Sequence, residues 1–263
     1  MTSPHRVRAH NAATESENKI HHDDVARRYG FEGGLVPGVT VYAYMTHPVV
    51  AAFGRPWLER GTIEARFVRP CYDGDEIAVD ADGDPRALEL TARRAGDEVI
   101  ATGRASLASV ASTPPALDAY PATPLPDDRR PATHDTFAGI GQLGSWEATF
   151  RADHAPAFLD EIGEDLDMYR DDGLAHPGYL LLSANWILGA NVRLGPWMHV
   201  GSEVTNFGVV EDGDRVSTRG RISDLFDRKG HRFAELDLLL VANDTRPVQH
   251  VRHTAIYEIA TSG

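Results

Sequence analysis

The residues whose types and spacing could do chemistry lie in one polar run, Ser16-Glu17-Asn18-Lys19-Ile20-His21-His22-Asp23-Asp24. After an amphipathic turn at Val25-Ala26-Arg27-Arg28-Tyr29, a glycine-rich stretch, Gly30-Phe31-Glu32-Gly33-Gly34-Leu35-Val36-Pro37-Gly38, enters a long apolar segment. A polar loop that aims a histidine at the start of a buried helix is how a site is built; taken alone, His21 reads as a surface residue. His21-His22-Asp23-Asp24 holds zinc-ligating residue types, but adjacent residues rarely point at one ion and no second cluster accompanies them, so no metal is expected. Gly33, Gly34 and Gly38 meet neither the Gly-Lys-Ser/Thr nor the Gly-x-Gly-x-x-Gly pattern that cradles phosphates. Cys71, beside Pro70, has no base placed by the sequence and reads as a packed small residue rather than a nucleophile.

The elements that must position His21 follow from periodicity. From Val39 to Phe53 the apolar residues recur mostly at spacings of one, three and four, which predicts a helix largely surrounded by core, with Gly54 as its C-cap. Pro48 interrupts it, so a kink near Thr46-His47 or a fresh start capped by Thr46 is expected. Thr46 and His47 could equally line a tunnel along that helix. Residues 6–12 alternate weakly, with Val7 and Ala9 on one face, and form a candidate first strand. Beyond the helix the period is two: Ile63, Ala65 and Phe67, a turn at Asp73-Gly74, then Ile77 and Val79. Leu88, Leu90 and Ala92, a hairpin at Ala95-Gly96-Asp97 and a strand from Val99 to Leu107 follow. One helix followed by antiparallel strands is an α+β layout, with the sheet wrapped around the helix.

Residues 108–143 carry Pro114, Pro115, Pro121, Pro124, Pro126 and Pro131 and read as a linker draped over the surface. The second half then repeats the first. Gly173 to Gly178 leads into a second apolar helix through Tyr179, Leu180, Leu181, Leu182 and Trp186, and Asp212-Gly213-Asp214 matches Asp73-Gly74-Asp75. Ala234, Leu236, Leu238 and Leu240 share one strand face, and Val248 to Ile259 closes the copy. No Asn-x-Ile-His loop precedes the second helix, so one site per chain is expected, built on the first helix.

Composition narrows the classes of function. The 263 residues carry 26 basic and 39 acidic side chains, a net charge of −13 that disfavours nucleic acid and anionic membrane surfaces as partners. One cysteine excludes an internal disulfide, and no apolar segment follows Met1-Thr2-Ser3-Pro4, so a cytoplasmic protein is the expectation.

The run from Ser16 to Gly38 resembles the hydratase signature of the MaoC-like hot-dog family: Asp-x-Asn-Pro-(Ile/Leu/Val)-His, an alanine, Gly-Phe-x-Gly, and a glycine opening the central helix. Asn18, Ile20, His21, Ala26, Gly30, Phe31, Gly33 and Gly38 fall on it, whereas Ser16 replaces the catalytic aspartate and Lys19 the proline. The resemblance implies a tandem double hot-dog, with residues 1–107 carrying the site, 108–143 as linker and 144–263 as a second unit without one. It implies a hydratase or dehydratase (a lyase) acting on 2-enoyl or 3-hydroxyacyl thioesters of coenzyme A or acyl carrier protein, as in fatty acid metabolism, with no cofactor. His21 would be the acid/base group, Asn18 a loop-ordering amide and Gly38 the oxyanion donor. Ser16 cannot supply a base, so His21 would act alone or with Glu15, Glu17 or Asp23. Pro37, Tyr42 and Thr46 would contact the substrate, and Tyr44 and Trp186 could edge an acyl pocket. The rivals are an acyl-CoA thioesterase and a non-catalytic acyl-binding protein. A tandem chain supplies its own partner fold, with pairing into a homodimer a further option.

Overall fold

The computed structural model describes residues 4–260. The start Met1-Thr2-Ser3, where no apolar leader is expected, lies outside them. The strands are β1 (His5–Arg8), β2 (Gly61–Phe67), β3 (Glu76–Asp84), β4 (Ala87–Arg94), β5 (Glu98–Leu107), β6 (Arg130–Pro131), β7 (Leu143–Thr149), β8 (Val192–Arg193), β9 (Met198–Asn206), β10 (Arg215–Arg228), β11 (His231–Ala242) and β12 (Arg246–Glu258). The helices are α1 (Asp23–Arg28), α2 (Gly38–Phe53), α3 (Arg55–Arg60), α4 (His134–Ala138), α5 (Ala155–Glu161), α6 (Met168–Asp171) and α7 (Pro177–Asn191).

Ten strands form one antiparallel sheet in the order β1-β3-β4-β5-β2-β9-β12-β11-β10-β7. Its two halves repeat about the β2–β9 junction, where Thr62 to Arg66 pairs with Thr205 to Gly201. This is the α+β double hot-dog, and the edge that a single unit would leave open is closed within one chain. The Leu35–Tyr72 bridge recurs as Leu174–Glu211, displaced by 139 residues at both ends. On that register Pro177, not Gly178, stands opposite Gly38.

α2 is buried on nearly every face because it lies inside the curl of the sheet. Burying Met45 and Val49 there contributes about 1.5–3 kcal/mol each. The two central helices pack so tightly that a Cβ at Gly178 would lie 2.6 Å from that of Ala43. The expected fresh start at Thr46 does not occur: α2 continues through Pro48, and the Thr46 hydroxyl donates back to the Ala43 carbonyl at 2.8 Å. Core on all sides holds the helix together despite the missing amide.

The first strand is shorter than the alternation of residues 6–12 suggests. After Arg8 the chain turns into the 72–75 loop, where the Ala9 amide donates to Asp75 O at 2.8 Å and the Asn11 amide to Asp73 Oδ1 at 2.9 Å. In the proline-rich stretch, Tyr120 packs on Leu239 and Val241, on the outer face of β11, and donates its hydroxyl to Asp237 at 2.8 Å. Phe137 enters the main core. Among the described residues no helix is long and apolar enough to cross a membrane.

Candidate active site

Asn18 and His21 are fixed by the backbone around them. Lys19–His21 is a 3-10 turn capped by the Asn18 side chain. His21 Nδ1 lies 2.6 Å from the Leu35 carbonyl oxygen, which only accepts, so Nδ1 carries the proton and Nε2 the lone pair. Asn18 Nδ2 donates to that Nε2 at 3.2 Å and to Trp197 O at 3.0 Å, while its Oδ1 accepts from Trp197 N at 3.2 Å and Ile20 N at 3.4 Å. All of its polar capacity is used, and the two amide donors on Oδ1 exclude a flipped side chain. Burial pushes His21 below the ordinary imidazole value, with the Leu35 bond partly opposing, so the ring is neutral at pH 7. The loop seats on Gly34, where any Cβ would overlap the His21 backbone oxygen.

Two cavities adjoin at His21, sharing Asn18, Pro37, Asn185 and Trp197 in their walls. The one of about 260 Å³ runs past Gly38 and along Phe67 to Cys71. The one of about 560 Å³ runs between Ser16 and Glu17 on one side and Trp146, Leu182 and Trp186 on the other. Thr40 and Val41 return their amides to Pro37 O, so those of Gly38 and Val39 have no partner within the first turn of α2. The Gly38 end of the helix, with its unpaired amide and positive dipole end, therefore borders the cavity that His21 lines, and this arrangement suits a developing negative charge.

The other residues singled out from sequence fall unevenly. Ser16 lines the wider cavity, and its hydroxyl donates to Asn18 O at 3.2 Å. Glu17 is exposed and pairs with Arg129 at 3.0 Å, which holds it below the usual carboxylate range. Pro37 touches both cavities, whereas Tyr42 and Thr46 are wholly buried and line neither. His47 is 2.9 Å from Glu164. Cys71 borders the smaller cavity with its thiol pushed up to about 12 by burial. The second half contributes too, among others Asn185 on α7, Trp197 just before β9 and His199 on β9. No local signal marks them; they arrive through the β2–β9 pairing.

At the equivalent place in the second half, His176 caps α7. Its Nδ1 accepts the Gly178 amide at 3.0 Å, so Nε2 carries the proton and faces Glu164 at 3.2 Å. Both side chains are buried and mutually satisfied, which leaves that imidazole no free lone pair.

Fold and site together define a double hot-dog protein in which a polar loop and a helix N-terminus converge on one cavity. No protein-family model matches the chain, and a search of curated proteins finds no match. Among solved structures it is similar to a conserved hypothetical protein of Mycobacterium tuberculosis with a double hot-dog fold (TM-score 0.60, 16% identity, 97% of this chain and 96% of that one). A Chloroflexus aurantiacus protein described as a MaoC domain dehydratase aligns with TM-score 0.61 at 12% identity, over 99% and 95% of the two chains. A Thermobifida fusca protein described as a thioesterase II aligns with TM-score 0.51 at 13% identity, over 87% and 89%. At these identities the likeness is one of fold.

Proposed function

We propose that the chain is a hydratase or dehydratase of 2-enoyl or 3-hydroxyacyl thioesters carried by coenzyme A or acyl carrier protein. The observation that carries this reading is the shared cavity: the neutral imidazole of His21, its tautomer set by Leu35, and the free amide of Gly38 border the same space. In hydration, Nε2 takes a proton from water as the oxygen bonds to C3, and electron density moves to the thioester oxygen beside Gly38. The imidazolium then returns the proton to C2, and the oxyanion collapses back to the carbonyl. Water is added and nothing else is consumed. With Ser16 in the carboxylate's place, His21 performs both transfers, and loss of a second positioned acid/base group commonly costs about 10²–10⁴ in rate.

A thioesterase that uses a carboxylate near the helix finds little support. Among the residues lining these two cavities the one carboxylate is Glu17, which is bound to Arg129; the carboxylates of Asp23, Asp24, Glu32, Asp73 and Asp75 line a third, more open cavity that His21 also borders but Gly38 does not. A non-catalytic acyl-binding protein is favoured by one observation: the Asn18 amide already occupies the His21 lone pair, so a water must share or displace it. The test is the absorbance of crotonyl-CoA and longer 2-enoyl-CoA thioesters on adding purified protein. Loss of the conjugated band that disappears in His21→Ala supports the hydratase; saturable binding with no loss of the band in wild type supports the binder. Thiol release from a saturated acyl-CoA would instead establish the thioesterase.

A further inference from the structure

The second half places an uncommitted imidazole against the oxyanion position. His199, on β9, is 8% exposed; its Nδ1 has no hydrogen-bond partner and the residue lines the cavity. It approaches α2 so closely that a Cβ on Gly38 would stand 2.9 Å from Nδ1 and 3.0 Å from the His199 backbone oxygen. Glycine at 38 is what admits this contact. The other ring nitrogen, Nε2, is 2.9 Å from Ser202 Oγ, which is 3.0 Å from Nδ1 of His253. The two rings stack at 4.0 Å, and His253 is fully buried with its Nε2 unpartnered.

Both rings are neutral, because burial depresses them far below the ordinary imidazole value. Each therefore carries one N–H, and the Ser202 hydroxyl adds one proton between them. Two arrangements make both contacts hydrogen bonds. In the first, His253 Nδ1–H donates to Ser202, Ser202 donates to His199 Nε2, and His199 holds N–H at Nδ1, itself buried, on the residue that borders the cavity. In the second, every donor is reversed, and an N–H at His253 Nε2 is sealed in the core with no acceptor. Each arrangement leaves one buried N–H without a protein partner, His199 Nδ1–H in the first and His253 Nε2–H in the second; the first is favoured because His199, unlike His253, borders a cavity from which a water or ligand oxygen can approach that N–H.

We propose that His199 donates its Nδ1–H to the acyl carbonyl oxygen of the bound thioester, beside the Gly38 amide, and that Ser202 and His253 are positioning residues that hold it in this tautomer. The assignment rests on the acyl-thioester reading above. It makes the site a joint product of both halves: the base comes from the first unit, and the carbonyl is held by one donor from each. His199 transfers no proton in this role; it stabilises charge that develops on oxygen.

Two readouts test it. Nitrogen-15 NMR of the histidine rings in ligand-free protein is expected to show His199 protonated at Nδ1; protonation at Nε2 with a bare Nδ1 overturns the proposal without reference to any substrate. Ser202→Ala is expected to leave that ring as a mixture of tautomers, and an unchanged single tautomer would remove Ser202 and His253 from the assignment. The second readout is the absorbance of bound cinnamoyl-CoA, whose conjugated carbonyl shifts to the red when polarised. The shift is expected in wild type and in His21→Ala, lost in His199→Phe, and partly restored in His199→Asn, whose amide can reach the Nδ1 position. Crotonyl-CoA hydration in His199→Phe should lose about 10²-fold in kcat with KM little changed. An undiminished red shift in folded His199→Phe overturns this proposal and leaves the acyl reading standing. No binding of cinnamoyl-CoA by wild type overturns both. Should His199→Phe fail to fold, His199→Asn and the tautomer measurement decide.

Discussion

The Nδ1 of His21 lies 2.6 Å from the carbonyl oxygen of Leu35, fourteen residues further along the chain. That bond spans the whole glycine-rich turn and sets the tautomer of the His21 imidazole. Gly34, just before Leu35, is where the returning backbone passes under His21, and Asn11 secures the same place by donating Nδ2 to His21 O at 3.0 Å.

Gly34→Ala is therefore expected to disable the site while sparing the fold. Its Cβ would overlap the His21 backbone oxygen, so the loop must lift and the Leu35 bond must open. Enoyl-CoA hydration should fall about 10²-fold or more, in line with the sensitivity of catalysis to misplacement of about 1 Å. A destabilisation of about 1–3 kcal/mol is expected from overpacking. Steady-state kinetics beside a urea melt measure the two effects; full activity would show that the loop does not need this seat.

Asn18→Asp tests the electrostatics of the base. In wild type the amide 3.2 Å from Nε2 can only donate, which favours the neutral ring. A carboxylate there would favour imidazolium and raise the His21 pKa. In the proposed mechanism hydration depends on the free base, so the acid limb of the wild type should fall below about 6.5, the ordinary imidazole value. In Asn18→Asp the limb should move to higher pH. A pH–rate profile of kcat/KM reads both, and an unmoved limb would mean that His21 does not set it.

Ser16→Asp places a carboxylate where the MaoC-like signature that this run resembles carries one. Ser16 lines the wider cavity, two residues from Asn18. Hydration of crotonyl-CoA should rise at least about tenfold, since a second positioned acid/base group can contribute about 10²–10⁴. No change in rate, with the fold intact by circular dichroism, would show that the cavity does not hold its substrate against residue 16.

The fold was legible where periodicity and repetition speak. Alternation at Ile63, Ala65 and Phe67 marks a strand because one face is buried, and the repeated Asp-Gly-Asp turn marks the duplication. The loop around Asn18 and His21 was legible because its spacing is tied to local hydrogen bonds. The rest of the site was not, since Asn185, Trp197 and His199 reach it only once β2 pairs with β9. The Trp197 backbone exchanges two hydrogen bonds with the Asn18 side chain across 179 positions of sequence. Thr46 illustrates the reverse: a residue type suited to lining a tunnel is turned inward because its hydroxyl finds a carbonyl three residues back.

The buried imidazoles also set an acid limit on stability. Burial lowers His5 to about 4 and His253 to about 3, and His21, His176 and His199 are depressed as well. Unfolded, each titrates near 6.5, so below that pH the unfolded chain takes up protons that the folded chain refuses. The stabilisation is complete above about 6.5 and declines as pH falls toward each folded value, at up to about 1.4 kcal/mol per pH unit per group. Glu164 acts in the same direction at lower pH. Burial alone would raise it, but hydrogen bonds from His176 and His47 carry it below the usual carboxylate value. Its contribution is full above about 4.5 and is lost as pH drops further. Calorimetric melting between pH 7.5 and 5 should therefore show Tm falling steadily, with a shallower slope in His253→Leu, which removes one such group. A Tm that stays level across that range would mean that these rings are solvated or already charged in the folded protein.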